Sequence, residues 1–382
     1  MRKQVKTQPA RPGPLARWFE LGAAEVDRLL PMEGLRGLAV LLVFFVHYGA
    51  QLAHASGLAP PALGMALQTL GHAGVDLFFV LSGYLIYRML LGRARPYLPF
   101  LARRVQRLYP AFLVVLALQL GIALASVSGG GLPPGAGDRA WLLLANLLLL
   151  PGLFTITPIV IVAWSLSYEM AFYLAMPPLV AALQLRRWPA AARVAAMLAA
   201  VGLMLATDWA HGRMGMFAAG MLLVETMPLL AALARRGPWL DLAAGAAVLL
   251  CGGLLLAGPG GQANFLGLFL AGFLLPAAAF AGAGPVARGL AWRPLRWLGN
   301  MSYSYYLVHG LVLEVVFHAL KLAGPGLAGL GGAAWWVLLA PAFLATLVGS
   351  AALFLAVERP FSILPAGAAR RPAPAAGLAA AE

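Results

Sequence analysis

Charge is scarce in this chain. Only 10% of its 382 residues are Asp, Glu, Lys or Arg, where a soluble domain carries about a quarter. Acidic residues are the rarer sign, 13 against 27 basic, which gives a formal net charge of +14. Cysteine is nearly missing: Cys251 stands alone in an apolar run, which excludes an internal disulfide or a thiolate metal cluster and reads as an inert small hydrophobe. No cleavable signal peptide is expected, because the first apolar run follows some thirty polar and mixed residues and is too long for one. No stretch is long enough for a folded soluble domain, and no internal repeat is visible, which counts against an inverted-repeat transporter.

What is abundant is apolar. Hydrophobic residues make up 62% of the chain and the mean hydropathy is +0.85. The chain therefore reads as an all-α polytopic membrane protein. The excess positive charge argues against a nucleic-acid partner, because it falls in short clusters between apolar runs, as cytoplasmic loops do. Runs of near membrane length lie at about 34–53, 71–91, 108–127, 140–162, 164–185, 190–207, 214–234, 239–257, 263–283, 298–320 and 334–357.

The arginines give these runs a direction. The tail before the first run carries Arg2, Lys3, Lys6, Arg11, Arg17 and Arg28, and the second connection carries Arg88, Arg93, Arg95, Arg103, Arg104 and Arg107. Both belong in the cytoplasm. If the fourth run crossed the bilayer, Arg186, Arg187, Arg193, Arg235, Arg236, Arg288, Arg293 and Arg296 would all face outward. If it enters and leaves by the outer side, only Arg139, Arg213 and Lys321 remain outside. Pro151, Gly152 and Pro158 within that run suit a broken or re-entrant segment. The expected architecture is about ten transmembrane helices plus one re-entrant or broken helix, with both termini cytoplasmic. Residues 1–31 form a basic tail whose second half either lies along the membrane as an interfacial helix or is a solvated linker. Residues 32–361 form the transmembrane domain, and 362–382 a short disordered cytoplasmic tail.

Ionisable residues within the runs mark candidate chemistry, since each costs about 2.5–3.5 kcal/mol at the bilayer centre. Gly34-Leu-Arg-Gly-Leu-Ala-Val-Leu-Leu-Val-Phe-Phe-Val-His47 carries two. A helix places Arg36 and His47 on nearly one face, roughly 16 Å apart. They either flank the membrane incidentally or belong to a site. Asp76 and Ser82 lie in Gly74-Val-Asp-Leu-Phe-Phe-Val-Leu-Ser-Gly83, where the small residues also suit close helix packing. Arg103, Arg104 and Arg107 sit at the cytoplasmic mouth, as plain anchors or as forks for phosphate oxygens. Trp164-Ser-Leu-Ser-Tyr-Glu169 opens the fifth run. Glu169 is expected to pair with His47, either as a structural contact or as the carboxylate that makes a histidine a better base. His309 is a second histidine of interest, in a stretch whose Tyr303, Tyr305 and Tyr306 read as an interfacial belt. Glu225 and Glu314 have no assigned partner.

Taken together, these stretches resemble the acyltransferase family 3 membrane proteins, which O-acylate, most often O-acetylate, sugars and other hydroxyl acceptors. The likeness runs from about 32 to 361 and ends on Val357-Glu-Arg-Pro360. It implies that Arg36 and His47 are essential, and that Arg103 and Arg107 assist in handling cytoplasmic acyl-CoA. Beside them, Glu169 is expected to be catalytic with His47, Arg104 to bind acyl-CoA, and Asp76, Ser82, Trp164, Ser165 and His309 to meet substrate. Acyl-CoA is then a co-substrate, with no tightly bound cofactor and no metal. The acceptor is expected to be an extracytoplasmic glycan, glycolipid or other hydroxyl compound, and the location the bacterial inner membrane. Many such proteins carry a C-terminal extracytoplasmic hydrolase-like domain. With none in this sequence, the chain is expected to acylate the acceptor itself or to hand the group to a separate partner. The rival reading is a transporter or flippase of a lipid-linked glycan or small solute.

Overall fold

The computed structural model describes residues 18–20, 30–93, 95–125, 132–207, 211–258, 260–322 and 329–363, and among them there are helices and no strands. This is the expected answer for an apolar chain in lipid, where each helix satisfies its own backbone. The long helices are α1 (Leu30–Ser56), α3 (Ala73–Gly92), α4 (Tyr97–Ala125), α6 (Trp164–Ala182), α7 (Ala190–Ala206), α8 (Gly215–Ala234), α9 (Trp239–Ala257), α10 (Gly261–Ala281), α13 (Ser302–Leu322) and α14 (Ala334–Leu353). Short helices are α2 (Ala62–Gly71), α5 (Ala136–Leu147), α11 (Pro285–Leu290) and α12 (Arg293–Asn300), and a π-helical segment, Phe354–Ile363, continues α14. Among the described residues, eight spans are long and apolar enough to cross a membrane by length and composition; α6 and the 17-residue α7 are the other long helices described. The protein is a multi-pass integral membrane protein.

The fourth apolar run does not cross. α5 stops after 12 residues, and an irregular segment follows, turning at Leu149 (φ 54°) and Gly152 (φ 94°). A side chain at Gly152 would collide with the Trp164 carbonyl. The segment is buried at Leu149, Val160 and Val162. Asn146 supplies its missing backbone partners: Nδ2 donates to the Leu142 and Thr157 carbonyls, and Oδ1 accepts from the Ile159 N–H. Irregular backbone survives at this depth only because protein surrounds it.

Ion pairs show which helix ends lie together. Arg186, past the end of α6, donates to the carbonyls of Leu90 and Arg93 at the end of α3. Arg193 at the start of α7 pairs with Glu225 in the middle of α8, at 2.6 Å, and Tyr87 of α3 donates to the same carboxylate. At the opposite end Arg213 pairs with Asp76 and lies over the Trp164 ring. So α3, α6 and α8 run in one direction, and α5 with its turn leaves and returns on one side, as the arginine distribution requires.

α1 packs against α2, α3, α12, α13 and α14. Without a hydrophobic force between helices in lipid, small residues let backbones approach. Gly83 and Gly220 do this between α3 and α8: a Cβ on either would strike a carbonyl of the other helix, that of Phe217 or Val80. Of the N-terminal stretch, Phe19 stacks on Phe354 and its carbonyl accepts from Asn300. Residues 1–17 and 21–29 and the tail 364–382 lie outside the described residues.

Candidate active site

A cavity of about 130 Å³ opens between α1, α3, α4, α6 and α13. Three arginines reach it. Arg36 of α1 donates from Nε to Ser302 Oγ at 3.1 Å, and its charged neighbours are Arg107, Glu358 and Glu169. None of those carboxylates is within ion-pair distance of it. Arg104 of α4 lies over the Phe100 and Tyr173 rings, 5.4 and 5.6 Å from their centroids, and its buried Nε has no hydrogen-bond partner. Arg107, one turn further, pairs with Glu358 at 2.5 Å and lies over Tyr303.

Glu358 is fully buried, and its other oxygen accepts from the N–H (3.0 Å) and Oγ (2.5 Å) of Ser304. Glu169 accepts from Ser82 Oγ at 2.9 Å and from the Tyr173 hydroxyl. Three guanidinium groups thus face two carboxylates, which leaves the cavity cationic. Its other end is closed by Phe78, Phe79 and Tyr306. The Tyr306 hydroxyl meets Ser165 Oγ at 2.7 Å and donates to the Val162 carbonyl of the irregular segment.

His47 lies beyond this closure. Its ring meets that of His309 edge to face, with centroids 4.9 Å apart. His309 is wholly buried, packed between His47, Tyr305 and Tyr306. Its Nδ1 is 2.8 Å from the Tyr305 carbonyl, and its Nε2 has no partner. Neither histidine lines the cavity.

Several expectations need correcting. Glu169 pairs with Ser82 and Tyr173, and the neighbour of His47 is His309, because Arg213 ties Trp164 at the start of α6 to Asp76 near the start of α3 and so sets Glu169, five residues on, level with Ser82. Asp76 is committed to Arg213 through both oxygens, at 3.1 and 2.9 Å, and it lines a separate apolar cavity of about 480 Å³ with Cys251. Trp164 is the platform for that arginine. Arg103 is exposed and does not line the cavity. Tyr303, Tyr305 and Tyr306 form no belt: all three are buried, with hydroxyls bonded to the Leu108 carbonyl, Thr346 and Ser165. Glu225 belongs to Arg193 and Tyr87, and Glu314 is exposed.

The cavity does gather Arg36, Ser82, Arg104, Arg107, Ser165 and Glu169, drawn from four separate helices. Sequence reasoning gave no role to Ser302 or Tyr173, and it read Tyr306 only as part of a belt. Tyr173 had a signal, its position one turn after Glu169. Glu358 had one too, a carboxylate on an apolar run, and it sits in a π-helical segment of the kind that recurs at functional sites. No three His, Cys, Asp or Glu side chains gather to hold a metal among the described residues.

A family model described as "Acyltransferase domain" matches residues 31–355. The chain is 32% identical over 333 residues to the exopolysaccharide production protein ExoZ of Rhizobium meliloti (strain 1021), covering 79% of this chain and 92% of that protein. It is 31% identical over 326 residues to the acyltransferase MdmB of Streptomyces mycarofaciens, covering 76% of this chain and 80% of that one. No solved structure matches.

Proposed function

The chain belongs to the acyltransferase family and is a membrane acyltransferase, and from that premise we propose that it moves an acetyl group from cytoplasmic acetyl-CoA to a hydroxyl of an extracytoplasmic glycan. The observation that carries the donor is the cationic cavity at the arginine-rich end of the bundle. Arg36 and Arg104 have no carboxylate of their own, so phosphate oxygens of CoA are their natural counter-charge. Arg107 joins them, held by Glu358. The pantetheine arm then runs past Ser82 and Tyr306 toward His47, roughly 16 Å along α1 from Arg36. The printed name of ExoZ, an exopolysaccharide production protein, is the support for a glycan acceptor. Location in the bacterial inner membrane follows from that donor and acceptor.

His47 is the general base. It takes the proton of the acceptor hydroxyl as the oxygen attacks the thioester carbonyl; the new C–O bond forms and the C–S bond breaks. The departing sulfur then takes that proton, giving free CoA and neutral His47. The test is thiol release by purified protein in lipid nanodiscs, supplied with acetyl-CoA with and without an oligosaccharide acceptor. The expected result is release that depends on acceptor and falls at least about a hundredfold in His47→Ala. Release without dependence on acceptor, or normal turnover in His47→Ala, overturns this reading. Passage of a labelled glycolipid across vesicles without any CoA release supports the transporter reading instead.

A further inference from the structure

We propose that His309 is a positioning residue for His47. Its Nε2 accepts a hydrogen bond from one ring nitrogen of His47, which leaves the other nitrogen of His47 as a lone pair toward the acceptor hydroxyl. The proposal rests on the reading of His47 as base and replaces Glu169 as its partner.

The argument begins with an unmet hydrogen bond. His309 is 0% exposed, and its Nδ1 lies 2.8 Å from the Tyr305 carbonyl. A carbonyl only accepts, so Nδ1 carries the proton and Nε2 is a bare acceptor. That acceptor is buried and unpartnered, a costly state for a polar atom. Three rings surround it: His47, Tyr305 and Tyr306. The Tyr305 hydroxyl is engaged with Thr346 at 2.8 Å. That of Tyr306 is engaged with Ser165 and the Val162 carbonyl. Of the three, only His47 has a donor not already bonded, and its ring is the nearest, at 4.9 Å between centroids. The rings meet at 69°, so a turn of His47 about its side-chain bonds brings an N–H onto Nε2; catalytic hydrogen bonds are often loose before substrate binds and tighten with it.

Exposure divides the two roles. His47 is partly exposed and can meet a substrate, whereas His309 is enclosed and can act only through His47. The resulting chain runs from the Tyr305 carbonyl through His309 to His47 and then to the acceptor. His309 gains and loses no proton. Its contribution grows when His47 becomes imidazolium, because a hydrogen bond from a charged donor is stronger than one from a neutral donor. An interaction strengthened in the transition state appears in kcat and not in KM.

The experiment compares His309→Phe, which keeps a ring but has no acceptor, with His309→Gln, which keeps an amide oxygen to accept. Both are assayed in nanodiscs with acetyl-CoA and an oligosaccharide acceptor. The expected result is kcat lowered roughly ten- to a thousandfold in His309→Phe, with KM for acetyl-CoA unchanged within about twofold, and most of kcat restored in His309→Gln. A folded His309→Phe with normal kcat, or equal losses in both variants, overturns the proposal. Nitrogen-15 NMR of the wild-type histidines gives a result even if the variants fail to fold: Nε2 of His309 is expected as a hydrogen-bonded acceptor, and a free lone pair there also overturns it. His47→Ala is run alongside. If it keeps normal turnover, the base reading itself fails; if it is inactive while His309→Phe is normal, only the present inference does.

Discussion

Removing the charge of Glu358 separates what holds the site together from what the site does. Glu358→Gln keeps an oxygen for Ser304 but leaves the Arg107 guanidinium without its counter-charge. The carboxylate side chain is 0% exposed and that of Arg107 22%, so little solvent is available to compensate. Breaking a buried pair by removing one partner costs about 3–5 kcal/mol, and the residual exposure of Arg107 favours the lower figure. About 3 kcal/mol is roughly two decades in the unfolding equilibrium, or a midpoint lower by about 4 °C for a chain of this length. The chain carries its own reporter for the measurement. Cys251 is its single cysteine and is 6% exposed, so a thiol-reactive fluorophore in detergent reads unfolding directly. Adding Arg107→Met to Glu358→Gln removes the stranded cation and is expected to recover most of the lost stability, since an apolar replacement of a buried pair is often neutral. It is not expected to recover turnover, because methionine cannot bind a phosphate oxygen. A double variant no more stable than Glu358→Gln alone refutes the assigned energetics, and a fully active double variant removes Arg107 from donor binding.

Arg104→Met is expected to raise KM for acetyl-CoA at least about tenfold with a smaller change in kcat, as loss of uniform binding does; steady-state kinetics at saturating acceptor check it. Asp76→Asn leaves Arg213 unpaired at the far end of the bundle and is expected to lower the unfolding midpoint with KM for acetyl-CoA unchanged, which thiol labelling and kinetics together measure. Gly220→Leu places a side chain against the Val80 carbonyl and is expected to destabilise by about 1–3 kcal/mol or more, read as a lower midpoint and loss of folded protein in detergent. Single cysteines at Arg235 and Arg95 in a Cys251→Ala background are expected to label from the same side of oriented vesicles, with Arg139→Cys labelling from the other.

Which helix ends lie together was legible because the arginine loops group at one end of the bundle. The interrupted fourth run was legible because Pro151, Gly152 and Pro158 fall within ten residues of one another, and Gly152 takes a left-handed turn there. The partners of the intramembrane acids were not. Glu169 and His47 both read as lying toward the outside, but depth in the bilayer depends on where a helix begins. α6 begins level with Asp76, near the start of α3, so Glu169 falls about one and a half turns inward, where it meets Ser82. The three tyrosines of α13 failed as a belt because a tyrosine at an interface and one buried against a carbonyl look alike in sequence. Asp76 was read as a substrate contact because intramembrane acids mark sites in general, while its committed partner lies 137 positions away.

The short helix α5 and the turn after it also carry the handedness of everything that follows. A chain threaded into the bilayer segment by segment alternates sides with every complete traverse. One segment that goes in and comes back adds nothing to that count, so α6 starts facing the way α5 did. If Pro151 and Gly152 were replaced by leucines, the run would become a continuous apolar helix able to traverse. Each later helix would then be inserted upside down, with its arginine loops on the wrong face. The turn between Leu149 and Val162 thus sets the orientation of the later helices as well as holding the Tyr306 hydroxyl through the Val162 carbonyl, and one short segment holds the two roles together.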